Sequence, residues 1–415
     1  MEKISLEKKN KSFFRFSFFL ILLIPVALIT GPLLPEIISF FLVIIFFTLI
    51  YKNKDYYIFS KYHFNIFLLF YLYLVVISFF SENLFLSLKS SFFYFRFGFF
   101  YIAVCYFFEH QDQYHKKKVY FLFFIFIFIF IDALFQIIMG FNFLNQKLIH
   151  PSRASSLFGD ELIMGSYIVR ILPIIVGMIY FFKIKNLINL IPLLWVISIV
   201  TVFFSGEKNA LGLMTILTGI YFLYSDFSYT KKIGALFLII LFSFTLINSF
   251  PQIKKRIYTE AILNSSKGIY GFSVVHYAHY KTAYSMFVDK PFFGHGPKSF
   301  RIQCKKDKFS YNHLSCSTHP HNMYLQLLSE TGIIGFLFVF SIWIFCFLRL
   351  IILFFKVDKD KFKHQFNIFV TSAVFINFFP ISTSGNIFNN WISYVYFMSI
   401  ALFLYSLKNP GKKNA

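Results

Sequence analysis

Charged residues are scarce in this chain, at 14% of 415 positions, and only 18 are Asp or Glu. Cysteine appears four times and tryptophan three. A soluble protein of this length needs far more polar surface, because 58% of the residues are hydrophobic and 66 are Phe; no single core hides that much apolar area. The shortage excludes soluble nucleotide-binding and nucleic-acid-binding folds. No small-residue cleavage site follows the basic start, so the first apolar run reads as a retained span and not a removed signal. No internal repeat is strong enough for an inverted-repeat transporter.

What is present is a series of apolar blocks. Hydropathy marks about twelve, at 13–30, 33–50, 62–80, 91–108, 119–139, 162–182, 187–204, 210–225, 233–250, 332–355, 366–381 and 387–407, most near the length that crosses ~30 Å of hydrocarbon. Lys and Arg outnumber acids by 40 to 18, and they gather in alternate short loops: the tail to Lys11 with Arg15, then Lys52, Lys54 and Lys61, Lys116 to Lys118, Lys183 and Lys185, Lys231 and Lys232, 349–363, and Lys408, Lys412 and Lys413. The opposite short loops hold only Lys89, Lys147, Arg153 and Lys208. Since cations resist translocation, both termini are expected in the cytoplasm. The sequence thus predicts an all-α integral membrane protein with about twelve transmembrane helices. Residues 1–250 form spans one to nine, 251–331 one large outer loop, and 332–415 spans ten to twelve with a cytoplasmic tail.

The outer loop holds eleven Lys or Arg against Glu260, Asp289, Asp307 and Glu330. Such a concentration on the outer face points to an anionic ligand, such as a lipid head group or a diphosphate; a solvated basic loop is the plainer alternative. Cys304 and Cys316 are expected to pair if that side is oxidising, whereas Cys105 and Cys346 fall inside spans as buried hydrophobes. His313 and His319 lie nearby, but no metal-ligand spacing repeats and no metal is expected. Thr318 is a fair N-cap and Pro320 fits a first turn, which predicts a helix starting just before His321. On it Asn322, Gln326 and Ser329 share a polar face with Glu330 at its edge, and Gly332 and Gly335 permit a bend or a close approach. A helix N-terminus disfavours an imidazolium, so His321 is expected to be neutral and suited to general-base work. A mere capping role for His319 and His321 is the alternative.

Three stretches, in order, resemble the O-antigen ligase and polymerase superfamily. His321 and Asn322, nine residues, then Gly332 and Gly335 match its His-(Asn/Ser/Gln)-x9-Gly-x-x-Gly signature. Residues 289–300, with Pro291, Gly294 and Gly296, are similar to its Pro-hydrophobic-x-Gly-x-Gly segment, and 153–165 to its pre-helix loop. The resemblance implies a GT-C-like membrane glycosyltransferase of a bacterial inner membrane, with its active site on the periplasmic face and no metal or other cofactor. It implies a donor glycan on undecaprenyl diphosphate and a lipid A-core sugar hydroxyl as acceptor, among membrane lipids and without nucleic acid. His321 would deprotonate the acceptor. Family arginines hold the diphosphate, and here the chain departs: Lys208 stands where Ser-x-Ser-Arg is usual, and His276, His279 and Lys281, with Arg301 beyond, occupy the region of the second arginine. Asn322 and Arg153, from the matching motifs, complete the expected substrate-binding set. A lysine lacks the bidentate fork of arginine, so its hold on a diphosphate is weaker.

Arg96, Asp132 and Arg170 fall inside predicted spans, where an ionisable group either faces a cavity or pairs between helices. Asp358 and Asp360 spell the Asp-x-Asp of nucleotide-sugar enzymes but sit in a lysine-rich cytoplasmic stretch and read as a solvated connector. The same signature serves an O-antigen polymerase, which joins lipid-linked repeat units, or attachment of glycan to a pilin. A polysaccharide flippase would share the span count but place its ligand at the bilayer midplane.

Overall fold

The computed structural model describes residues 11–110, 116–225, 227–256, 273–356 and 358–407. The tail before Lys11, Glu260, Lys267 and the cations Lys408, Lys412 and Lys413 lie outside the described residues. Helices occupy every predicted apolar block: α1 Lys11–Ala27, α2 Leu33–Asn53, α3 Tyr62–Ser78, α4 Leu84–Phe92, α5 Phe95–Glu109, α6 Lys116–Met139, α7 Met164–Phe181, α8 Lys185–Phe204, α9 Lys208–Tyr224 and α10 Tyr229–Ser249. After the long segment that follows α10, which contributes α11 Val274–Asp289, come α12 Met323–Phe355, α13 Lys361–Asn377 and α14 Asn390–Ser406. Two isolated bridges, Phe141 with Lys147 and His150 with Arg153, are the only β pairing among the described residues.

Seven of these stretches are long and apolar enough to cross a membrane among the described residues: Lys11–Thr30, Leu33–Asn53, Leu84–Glu109, Lys116–Met139, Met164–Phe181, Lys185–Phe204 and Met323–Phe355. Tyr62–Ser78 is a shorter apolar helix. The protein is therefore a helical, multi-pass membrane protein, with seven such stretches where hydropathy suggested about twelve. Part of the difference is physical. The last two helices, 17 residues each, stop at Asn377 and start at Asn390, because 378–389 unwind into a polar loop where the sequence predicted helix to 381 and again from 387. The fourth block likewise breaks between α4 and α5 instead of running unbroken from 91.

The bundle is centred on α7, which is buried along nearly its whole length. It packs against α13 most extensively, and against α8, α9 and α6. Gly177 makes the α13 contact possible, since a Cβ there would lie 3.2 Å from Val370 Cγ1. In contrast only 22% of the apolar window in α12 is buried, and exposed Leu337, Phe345 and Phe347 need lipid against them. The ionisable groups inside the bundle are used for pairing. Arg170 donates to the Asn377 side chain at 3.0 Å across α7 and α13, and Arg96 forms an ion pair with Glu36 of α2 at 3.3 Å while donating to Asn390 of α14. Asp132 accepts from the Phe143 N–H and the Ser156 hydroxyl and so fixes the loop after α6. At the opposite face Asp360 caps α13 and pairs with Lys183, and Asp358 pairs with Lys363, as befits a connector.

One distortion positions the segment that precedes the membrane part of α12. At Gly332 α12 leaves helical geometry (φ 65°, ψ −170°), freeing the carbonyls just before it. The loop after α11 takes them: His295 N–H donates to Ser329 O (3.1 Å), Gly296 N–H to Glu330 O (2.8 Å), and Pro291 O accepts from Ile333 N–H (2.8 Å). Tyr73 of α3 donates to Thr331 O at 2.5 Å. A Cβ at Gly332 would sit 2.1 Å from Phe292 O, so the bend expected from the two glycines is present and is locked by a partner loop. Gly332→Ala should cost more than ~2 kcal/mol, through the positive φ and the clash together. Gly234, where an added methyl would meet nothing within 4 Å, provides the near-neutral Ala control. Thermal unfolding of the two purified variants checks the difference, and equal melting temperatures would contradict the locked bend.

Candidate active site

His321 does not begin a helix. It has φ 56°, a conformation worth of order 1 kcal/mol of strain in a non-glycine residue, and the cap of α12 is Asn322, whose side-chain oxygen accepts from Tyr324 N and Leu325 N at 3.0 Å each. The cap is thus displaced by four residues from the expected Thr318, and the helix starts at Met323 instead of just before His321. An Asx side chain makes the stronger cap, and the Thr318 hydroxyl is instead 2.9 Å from His319 Nδ1. The Asn322 amide nitrogen donates to Pro380 O (2.9 Å) and Ser382 O (3.2 Å). Asn322, expected among the substrate-binding residues, is therefore engaged on both sides within the protein and anchors the chain beside His321.

The anchor is the loop 378–389. Ser384 N–H donates to His321 O at 3.0 Å, and Ser384 O lies 3.2 Å from His319 Nε2. Gln326 reaches Asn386 Oδ1 (2.9 Å) and Glu330 Oε2 (2.9 Å) and accepts from Ile387 N–H. Glu330 is fully buried and accepts from Lys298 N and Phe300 N, which start the single turn Phe300–Gln303. The predicted polar face of α12 therefore binds protein.

Four imidazoles meet at this point. The ring of His321 lies 4.2 Å from His319, 5.0 Å from His276 and 5.3 Å from His279, the last stacked at 23°. His276 and His279 come from one face of α11, and the structure brings both to His321. Ser317 Oγ is 3.2 Å from His321 Nε2. Burial, then the neighbouring His319, His276 and His279, push His321 down to about 3, and burial pushes His319 to about 4. Burial lowers His276 as well, and burial with His276 lowers His279. All four are neutral at pH 7, and burial with mutual repulsion accomplishes what a helix dipole was expected to do. Among the described residues no group of three His, Cys, Asp or Glu side chains is arranged to hold a metal.

Cations flank the imidazoles. Arg301, on the Phe300–Gln303 turn, donates to Thr318 O at 3.4 Å, and its Nε is buried without a hydrogen-bond partner among the described residues. Lys298 is half-buried nearby; burial and then Arg301 lower it. A disulfide joins Cys304, next to that turn, to Cys316, next to Ser317, as expected, and Cys105 and Cys346 are free and buried. On the other flank Arg153 donates to Ser205 O (3.3 Å) and Leu162 O (2.8 Å), and Arg256 Nε donates to Gly206 O (2.9 Å). Glu207 caps α7 by accepting from Gly165 N and Ser166 Oγ (2.7 and 2.6 Å). Lys208 follows it at the start of α9, and the side chain of Asn209 exchanges two 3.0 Å hydrogen bonds with the Thr383 backbone, next to Ser384. This flank is thereby tied to the loop that holds His321. Lys281 is not gathered in: it is exposed on α11 with its ammonium over Tyr277.

The sequence reading missed Ser317, Lys298, Arg256 as part of a flank, and above all 378–389. The signal for that loop was available, since Ser382, Thr383, Ser384 and Asn386 form a polar run between two apolar blocks. Because four imidazoles are depressed in the folded state, the unfolded chain binds more protons below the ordinary histidine value. Their contribution to stability should therefore be full above about pH 6.5 and be lost as the pH drops from there toward 4, whereas buried Glu330, raised to about 7, contributes in the opposite direction. Melting temperature measured across that range should fall more steeply, or rise less, in the wild type than in His276→Asn; parallel curves would contradict a neutral cluster.

Residues 193–340 match a family model described as O-antigen ligase. No curated protein matches. The matched stretch runs from α8 through the histidines to the bend of α12 and supports the O-antigen ligase superfamily, the one its motifs resemble.

Proposed function

We propose that this chain, an O-antigen ligase-like membrane glycosyltransferase, moves a glycan from undecaprenyl diphosphate to a lipid A-core sugar hydroxyl on the periplasmic face of a bacterial inner membrane. The observation that carries the reading is the meeting of four imidazoles at His321, whose carbonyl accepts a backbone hydrogen bond from Ser384 of the adjacent loop, with Arg301 bonded to the same strand at Thr318. In the proposed reaction His321 accepts the acceptor hydroxyl proton as that oxygen bonds the anomeric carbon. The carbon–oxygen bond to phosphate breaks, and the diphosphate leaves with the electron pair, so the anomeric centre inverts.

Arg301 and Lys298 on one side, and Lys208 with Arg153 and Arg256 on the other, supply charge for the departing diphosphate. Arginine forks suit its paired oxygens, and Lys208 adds a point charge. With the donor absent His321 is a poor base. Anionic phosphates beside it raise its proton affinity, so the donor itself brings the base toward its useful range, and base catalysis then contributes about 10²- to 10⁴-fold. Diphosphate is a good leaving group once neutralised, which removes any need for paired carboxylates.

His321→Ala should reduce glycan transfer by about that factor or more while leaving membrane insertion normal; retained transfer would remove His321 as the base. Deleting the gene in its source bacterium separates ligase from polymerase. Bare core with accumulated long lipid-linked polymer is expected, whereas core capped by one repeat would mark a polymerase.

A further inference from the structure

Two pieces of the site are anchored to different parts of the fold. His319, His321 and Asn322 hang on the 378–389 loop, whereas the turn Phe300–Gln303, which carries Arg301, is fixed at its start by Glu330. Residues 304–318 run between them. Arg301 reaches across to Thr318 O at 3.4 Å, beyond the usual span of an N–H···O bond. The apolar cluster beneath this segment, separate from the bundle core, is built from Ala283, Met286, Phe300, Cys304 and Phe309, and a core that small rarely fixes a chain without a covalent staple. The ion pairs of Lys306 with Glu82 and Lys308 with Asp289 lie in solvent, where such pairs contribute little. The strong link is the Cys304–Cys316 disulfide. Both its ends lie on the site: Cys304 caps the turn that carries Arg301, and Cys316 precedes Ser317, whose hydroxyl is 3.2 Å from His321 Nε2. The loop that it closes also meets the cluster, since the Leu314 backbone hydrogen-bonds His279.

We propose that this disulfide positions Arg301 against the His321 strand, so that the site grips a diphosphate only while Cys304 and Cys316 are joined; the proposal rests on the proposed function. Cys304 is fully buried and Cys316 is exposed, which sets how the bridge opens. The thiolate of a dithiol reductant attacks Cys316 Sγ, the S–S bond breaks, and Cys304 leaves as a thiolate that takes up a proton. The second thiol of the reductant then resolves the mixed disulfide, so the protein gains two electrons and the reductant ends as a disulfide. With the bridge open, the turn keeps its hold on Glu330 and the strand keeps its hold on the 378–389 loop, but the spacing between them is no longer fixed. Arg301 then loses the preorganised position that makes a guanidinium effective against a phosphate. Such a bridge forms on an oxidising side of a membrane and not in a reducing cytosol. The clamp is therefore completed only on the face where the proposed transfer takes place.

The test measures inorganic pyrophosphate binding, by calorimetry, to the purified full-length protein in nanodiscs. The protein is taken oxidised, reduced with dithiothreitol and capped with iodoacetamide, or reduced and rejoined through one methylene group with diiodomethane; Cys105 and Cys346 are buried and out of reach. The capped form should bind about tenfold more weakly than the oxidised one, and the rejoined form within about twofold of it. In Arg301→Ala the oxidised protein should already bind weakly, and reduction should change its affinity by less than about twofold, a coupling that a merely structural staple does not produce. Equal affinity of oxidised and capped wild type would overturn the proposal, as would the same tenfold loss on reduction in Arg301→Ala. Cys316→Ser leaves the buried Cys304 in place and keeps the test valid should the capped protein fail to fold: tenfold weaker binding supports the clamp, and wild-type affinity overturns it. Binding is read without turnover. Disulfide-dependent binding without glycan transfer would remove the proposed function and leave the clamp standing, whereas transfer at one rate by oxidised and capped forms would do the reverse.

Discussion

Irregular backbone at the edge of a bilayer must satisfy its own polar groups, because lipid offers no hydrogen bonds. Three irregular segments meet that constraint here by bonding to one another. The 290–297 loop takes the carbonyls released at Gly332, the 378–389 loop takes the backbone and side chains of 319–326, and Glu330 caps the turn that presents Arg301. The histidines are the by-product of that settlement. The positions of His319 and His321 follow from backbone bonded to the 378–389 loop, where His321 holds its left-handed conformation, whereas His276 and His279 are carried to them by α11.

The electrostatic design follows from the same enclosure. Four imidazoles crowded together and partly buried are cheap to hold as long as they are neutral, and protonating one places a cation against the others and against Arg301. Cations on both flanks with few acids to quench them leave the site short of negative charge. In the proposed reaction a diphosphate supplies it, and the same ligand makes a depressed imidazole more basic, so that affinity and chemistry draw on a single interaction.

Much of this was legible in the sequence because it depends on local pattern. Apolar runs mark the helices of the predicted blocks though not α11, which lies in the stretch read as a loop; a twelve-residue Cys304 to Cys316 spacing marks the disulfide, and Gly332 with Gly335 marks the bend. What could not be read depends on partners distant in the chain. The start of α12 was misplaced because Thr318 and Asn322 are both acceptable caps locally, and the choice is made by Pro380 and Ser382, about sixty residues on. Whether Arg96 faced a cavity or paired was decided by Glu36 and Asn390, which no spacing connects to it. Helix lengths beside the 378–389 loop were overestimated because apolar residues such as Ile381 and Ile387 continue the hydropathy while the backbone has already left the helix.

The central claim is spatial: a lipid diphosphate rests between the two cationic flanks with His321 facing its sugar-bearing side. A structure of the protein with a polyprenyl diphosphate sugar bound measures this directly. The account predicts the diphosphate in contact with Arg301 and with the Lys208 flank, and a nitrogen of His321 positioned ~3 Å from the oxygen of an acceptor in line with the anomeric carbon. A diphosphate bound away from both flanks, with His321 still enclosed by its neighbours, would contradict it.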